Sequence, residues 1–501
     1  MAAPTDSRPA FRAWWLAVLA GLMVFAGRSA LVFYAGSPVP FHDQWIAEAS
    51  QLLVPDAQHT LTWHNFVIPH SDHLHVPTRL IAYGLFRLTG HWDMLAEMLV
   101  NNALIAAAFA YLFHQVRRTT GSRRLGVIAL GFGVWLSTPL FYGNCLWGFQ
   151  SSIELLILTA IVQVVATCTM ESLDGRWWLA GLAGVVGAIA FGSGVMASAI
   201  AALVCLYRSR QPKAPRPALV AAFLVNLAII FGGAIIVLRS PSLGQGGARF
   251  ANIVHTLLHA LSWPAMQPSW FALVLWAPAV IASLLLFMRR PPFWLPAYAL
   301  AAWTVLQIVG IAAIRSVPVL ALPPRYYDIF AVGVLANGLL CHGFLVCTEG
   351  RRWLRAGAIL LTLTWCGWAS LKGWEFARSH AIHDVPAMRG YAQGQIDLVQ
   401  HYYAGGGQAA LAAAEFPVRP YPEPEYLGNL LAHPAIKQAL PALLTEPPPA
   451  GAPPDLLSYS WPGHGPRRYV WFYLALILFA VATAGAGALV MRRPGESKSG
   501  R

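Results

Sequence analysis

The sequence predicts an all-α polytopic membrane protein, and three observations carry that expectation. Of its 501 residues, 57% are hydrophobic and only 11% charged, about half the charge of an ordinary soluble domain. Apolar runs longer than the roughly 18 residues that suffice for a span recur along the chain. Of the 34 Lys and Arg, 20 fall in brief segments between these runs and at the two ends of the chain, on one side of the expected topology, as topology signals do. The net charge of +13 therefore reads as membrane orientation and argues against a nucleic-acid partner. The six cysteines lie in or beside apolar runs with no CxxC spacing, which suits small core residues better than disulfides or a metal site.

The first run, Trp14 to Tyr34, follows Arg8 and Arg12 and is too long for a cleavable leader, so it is expected to stay as the first span. Further stretches are 93–116, 125–143, 151–170, 177–207, 218–238, 269–288, 293–314, 326–347, 354–371 and 469–491. The stretch 177–207 is too long for one crossing and is interrupted by Gly192-Ser193-Gly194. Reading it as two short helices hinged there puts "RSRQPKAPRP", "RRPP", "RRWLR" and the basic tail on one side, inside by the positive-inside rule. A broken hairpin is tolerable at membrane depth if it is buried in protein or lines a cavity. Every histidine except His114 and His342 then falls on the outer side, where residues 36–92, 239–268 and 373–468 form the large segments. The expected organisation is a transmembrane core over 1–371, an outer domain with a Pro-rich connector over 372–468, and a last span with its basic tail over 469–501.

In the first outer segment, "DQWIAEASQLL" puts Ile46, Ala49, Leu52 and Leu53 on one helical stripe. "VPTRLIAYGLFRLTG" (Val76 to Gly90) stacks Arg79, Tyr83 and Arg87 at four-residue spacing. Both predict interfacial helices with polar edges toward water or a cavity. No internal repeat is evident, unlike transporters built from inverted halves.

Four clusters could carry chemistry. Asp43 is either the N-cap of the helix that follows or a general base or cation ligand at an external cavity; Glu48 is expected to face solvent. The run "HNFVIPHSDHLHVPTRL" offers His70, Asp72, His73 and His75, which could hold a divalent metal such as Zn²⁺ or Mn²⁺ or line a polar pocket, with Asp72 a reserve base. "GNCLWGFQSS" supplies Trp147 and Gln150: belt residues, or an aromatic face beside an amide that holds a sugar ring. "LPPRYYDIF" places Arg325 and Tyr326 at the outer start of a span, where Arg325 either snorkels or meets a lipid-linked phosphate. Arg239, Arg249 and His255 could join it, and Asp328 is expected to pair with Arg325 or another base.

In this order the segments resemble the GT-C glycosyltransferases, in particular the protein O-mannosyltransferase and aminoarabinose-transferase branch. Asp43 stands at that family's acidic position after the first span. "VPTRLIAYGLFRLTGHWDMLAEMLVNNAL" is similar to its interfacial helix and second span. "LAGLAGVVGAIAFGSGVMASAIAALVCLYRSR" resembles its short-helix hairpin, and "PPRYYDIFAVGVLANGLL" the proline-Arg-Tyr start of a later span. The likeness covers most of residues 11–350. Two departures stand out: Gln44 where the family often has a second acid, and Gly194-Val195 where it often has a lysine.

The hydrophobic stretches predict about 11–12 transmembrane segments and the basic segments put both termini in the cytoplasm; the resemblance implies a GT-C-like bundle with an outward-facing site, expected in a bacterial inner (plasma) membrane. The expected chemistry is inverting, single-displacement transfer of a sugar from a polyprenyl-phosphate donor to a cell-envelope glycan, lipid or protein acceptor. Asp43 would be the base and Arg325, with Arg79 or Arg249, would hold the departing phosphate. The alternatives are a lipid or polysaccharide flippase and a non-catalytic envelope assembly protein.

Overall fold

The computed structural model describes residues 8–70, 73–120, 124–238, 250–266, 269–286, 294–315 and 322–446. Arg239, Arg249, Asp72 and the stretch 469–491 lie outside these residues. Among the described residues the chain is helical and forms no strand; a single isolated bridge pairs His70 with His73. Eight of the described helices are long and apolar enough to cross a membrane. The protein is thus all-helical, with the composition and helix lengths of an integral membrane protein.

The first helix, Arg8–Ala35, packs along Met94–Thr120 and Arg124–Leu136, and Ser151–Thr169 packs on the far side of Met94–Thr120. Tyr327–Cys347 closes the bundle between Trp294–Arg315 and Arg352–Ser379. One expected span is shorter than its apolar run. The helix within 125–143 stops at Leu136, where Ser137 donates to the Gly133 and Met23 carbonyls and Pro139 follows. A proline cannot continue the ladder, so 139–150 folds as short turns instead.

The long stretch does break at Gly192-Ser193-Gly194, into Gly175–Ala190 and Val195–Ser209. Glycine is needed there: a Cβ on Gly194 would lie 2.0 Å from the Gly187 carbonyl oxygen, so the two backbones could not approach. The hairpin is fixed by polar contacts at its basic end and at its hinge. Arg208 donates to the Thr167 and Met170 carbonyls at 2.7 and 2.8 Å, covering the last turn of Ser151–Thr169. At the other end the Gly192 amide donates to His73 Nδ1 at 3.0 Å. The hinge therefore sits beside the first outer segment, and the basic turn after Ser209 sits at the opposite end of the bundle.

Residues 36–92 fold into helices Trp45–Leu53, Val54–Ala57, Trp63–Val67 and Val76–Thr89. The last ends where Gly90 takes a left-handed φ of 76°. Trp45 and Trp92 meet edge to face at 5.3 Å and are fully buried. Leu427, Leu431 and Ile436 from the C-terminal helices pack in the same cluster. Each such buried side chain contributes about 1.5–3 kcal/mol, which ties the C-terminal helices to the first outer segment. These helices are Val385–His401, Gly407–Ala413, Pro424–Ala432, Pro434–Ala439 and Ala442–Thr445.

Candidate functional site

Asp43 does not cap the helix after it with its side chain. Its backbone carbonyl accepts from the Ile46 and Ala47 amides, and no side-chain cap bond forms. The carboxylate turns instead to two imidazoles: His42 Nδ1 hydrogen-bonds Oδ1 at 2.8 Å, and His70 Nε2 lies 3.1 Å from the same oxygen as an ion-pair contact outside hydrogen-bond geometry. No described residue hydrogen-bonds Oδ2. Burial opposes the charge, but the bonds and charge from His42 and His70 outweigh it and hold the Asp43 carboxyl far below its usual value. The side chain remains 26% exposed and the His42 ring 40% exposed, so the group is ionised and reachable.

Local backbone geometry makes this arrangement possible. His42 and His75 both adopt left-handed φ angles, 51° and 53°, which cost a non-glycine residue on the order of 1 kcal/mol or more. At His42 the strain is held by its amide, which donates to the Pro420 carbonyl at 2.7 Å. His70 is placed by paired backbone bonds with His73, at 2.8 and 3.1 Å. His73 stacks on Phe191 with centroids 3.8 Å apart, and because its Nδ1 accepts from Gly192 the ring proton of the neutral form belongs on Nε2. His75 packs 4.8 Å from Phe149 and 5.1 Å from His73. Burial, then the charges of His73, His70 and Arg79, depress its pKa well below the usual value. Among the described residues no group of three His, Cys, Asp or Glu side chains is placed to hold a metal ion.

Glu48, expected at the solvent, is buried (1% exposed). Trp92 Nε1 donates to it at 2.7 Å, and Gln44 Nε2 reaches both Glu48 and Glu97. Burial pushes Glu48 up to about 7 against the bonds from Trp92, Gln44 and Glu97. Gly148 lies directly on this pair, since a Cβ there would be 2.6 Å from a Glu97 carboxyl oxygen. The helical stripe places Glu48 opposite Ile46 without revealing that Trp92 and the C-terminal helices cover that side.

Arg79 points inward. Its guanidinium is fully buried and donates to the Phe66, Ile68 and Leu74 carbonyls and to Gln51. Four-residue spacing correctly groups Tyr83 with Arg87, which share Asp56, but Arg79 sits in the first turn under the 62–75 loop. It holds that loop, and hence His70, in place.

Trp147 and Arg325 are joined through the turns at 139–150. Trp147 Nε1 donates to the Phe41 carbonyl at 3.2 Å, and its ring lies 6.1 Å from His42. Asn144 donates to the Arg325 carbonyl at 3.0 Å and to Asp328 at 2.7 Å. The Phe41–Asp43 and Arg325 segments thus flank the same turns at one end of the bundle, and no direct contact joins the Asp43 and Arg325 side chains. The Arg325 guanidinium lies 5.3 Å over the buried Tyr326 ring and hydrogen-bonds no described residue. Gln150 is buried beside Phe149.

Sequence reasoning passed over Arg28. It is 1% exposed within the first span, bonded to Asp328 and the Leu136 carbonyl, with Glu154 at 3.6 Å and the Phe141 ring 4.6 Å away. Asp328 therefore pairs with Arg28 and leaves Arg325 free of it. A lone arginine inside an apolar run was the available signal, because such a charge persists only with a partner.

No protein-family model, curated protein or solved structure matches the chain.

Proposed function

We propose that the protein is a membrane glycosyltransferase that moves a sugar from a polyprenyl-phosphate donor to a cell-envelope acceptor, with Asp43 as the base. The observation that carries this reading is the Asp43 carboxylate: ionised, partly exposed, and held through Oδ1 between the His42 and His70 imidazoles. An acceptor hydroxyl gives its proton to Oδ2 as its oxygen bonds to the anomeric carbon. The bond from that carbon to the phosphate oxygen breaks, and the phosphate leaves with the electron pair. Arg325, uncommitted beside Asn144, neutralises the leaving phosphate. Arg79 serves as a positioning residue for the His70 loop. The end of the bundle that carries Asp43 is the extracytoplasmic one, because the basic turns lie opposite.

The buried Arg28–Asp328–Glu154 group favours a flippase as the second reading, since ionisable groups inside spans mark transport pathways. Against it, Glu154 and Asp328 lie in the first turns of their helices rather than at mid-span. Purified protein in vesicles with a labelled undecaprenyl-phosphate sugar and envelope extract separates the two. Label transferred to a new acceptor supports the enzyme; label crossing the bilayer unchanged on its lipid supports the flippase and removes the transferase reading.

A further inference from the structure

The C-terminal helices reach the Asp43 site through one loop, "FPVRPYPEPEY", Phe416 to Tyr426. Pro420 accepts from the His42 amide. Phe416 stacks on Phe41 at 5.5 Å and meets the His42 ring edge-on at 6.1 Å, yet is 48% exposed. Tyr421 lies 6.3 Å from His42 and 5.1 Å from Tyr426. Burial, then neighbouring acidic groups, push its phenol up. With Trp147 on the other side of His42, ring faces from two distant parts of the chain border one partly exposed carboxylate.

We propose that Phe416 and Tyr421, with Trp147, form the acceptor subsite over Asp43, and that the acceptor it takes is a saccharide. This rests on the transferase reading above, which requires a hydroxyl to be delivered to Asp43. The chemistry of the loop selects the class. Exposed ring faces receive the C–H face of a sugar, while Asp43 Oδ2, the Tyr421 hydroxyl and the outer edge of His42 receive its hydroxyls. A polypeptide acceptor is disfavoured by the backbone. Pro417, Pro420, Pro422 and Pro424 supply no amide donors, and the Pro420 carbonyl is already taken by His42, so this loop offers an extended peptide few backbone partners.

The test uses full-length protein in detergent on an array of hexose-, pentose- and N-acetylhexosamine-terminated oligosaccharides, with a threonine-rich peptide as the competing probe. The expected result is binding to at least one saccharide class, weakened about tenfold by Phe416→Ala and by Tyr421→Ala. Phe416→Trp, which keeps an aromatic face, should retain binding, and thermal unfolding of each variant checks the fold. Binding to no saccharide, saccharide binding undiminished in both alanine variants, or capture of the peptide in its place would overturn the proposal. The two readings fail separately: saccharide binding lost in Phe416→Ala without any sugar transfer by the wild type removes the enzyme and keeps the subsite. Transfer undiminished in both alanine variants does the reverse.

Discussion

Two groups of acids sit at the same end of this bundle and are treated oppositely. Asp328 and Glu154 are closed around Arg28, with every member almost completely buried. Asp43 is given two imidazoles in place of a guanidinium and keeps a quarter of its surface exposed. A guanidinium paired in a dry interior is locked, because separating the charges there is expensive. A carboxylate held by histidines at a wet edge stays ionised and can still exchange a partner. The contrast separates charge that fixes helices from charge that is available to a substrate.

The sharpest way to break the comparison is to remove each group in turn. Asp43→Asn is expected to lower sugar transfer by about 10²–10⁴-fold with a smaller loss of thermal stability than Arg28→Ala, read by a labelled-donor assay beside a melting curve. Arg28→Ala should do the opposite to the fold, costing about 3–5 kcal/mol by stranding two buried acids, measured by unfolding in detergent. If both variants lost stability equally, the distinction would collapse.

Glu48 sharpens it from a third position. Its folded pKa is raised from 4.5 to about 7, so its stabilising contribution is fully present below about 4.5 and is lost as pH rises through 7. Wild-type protein should therefore melt lower at pH 8 than at pH 5. Glu48→Gln should remove most of that slope, with a gain at pH 8 on the order of 3 kcal/mol. A smaller effect is expected at Arg325. Its alanine variant should raise the donor KM roughly thirtyfold, about 2 kcal/mol of charged hydrogen bonding, with Arg325→Lys recovering part of it. An unchanged donor KM would make Arg325 a snorkelling residue.

Much of this was legible in the residues, and the limits are physical. Gly192-Ser193-Gly194 marked the hairpin break because only glycine allows that backbone approach. "VPTRLIAYGLFRLTG" marked a helix because its spacing and terminal Gly90 are local signals. Asp43 stood out because an acid beside a span needs a reason. What could not be read was which distant groups would face it. His70 arrives through a loop 27 residues on, and Pro420 and Phe416 through a domain near the other end of the chain. The same limit applies to Arg79: periodicity groups side chains on a face, but only packing decides whether that face meets water or carbonyls. Helix length was misjudged at 125–143 because hydropathy continues past Leu136 while Pro139 stops the hydrogen-bond ladder.

The central claim is that Asp43 and Arg325 serve one lipid-phosphate substrate. Photo-crosslinking of the full-length protein in membranes, with a polyprenyl phosphate carrying a diazirine next to its phosphate, tests it most directly. The account expects adducts, mapped by mass spectrometry, in both the 41–44 and 322–327 segments. Adducts confined to the basic turns at the opposite end, or to one of the two segments alone, would contradict it.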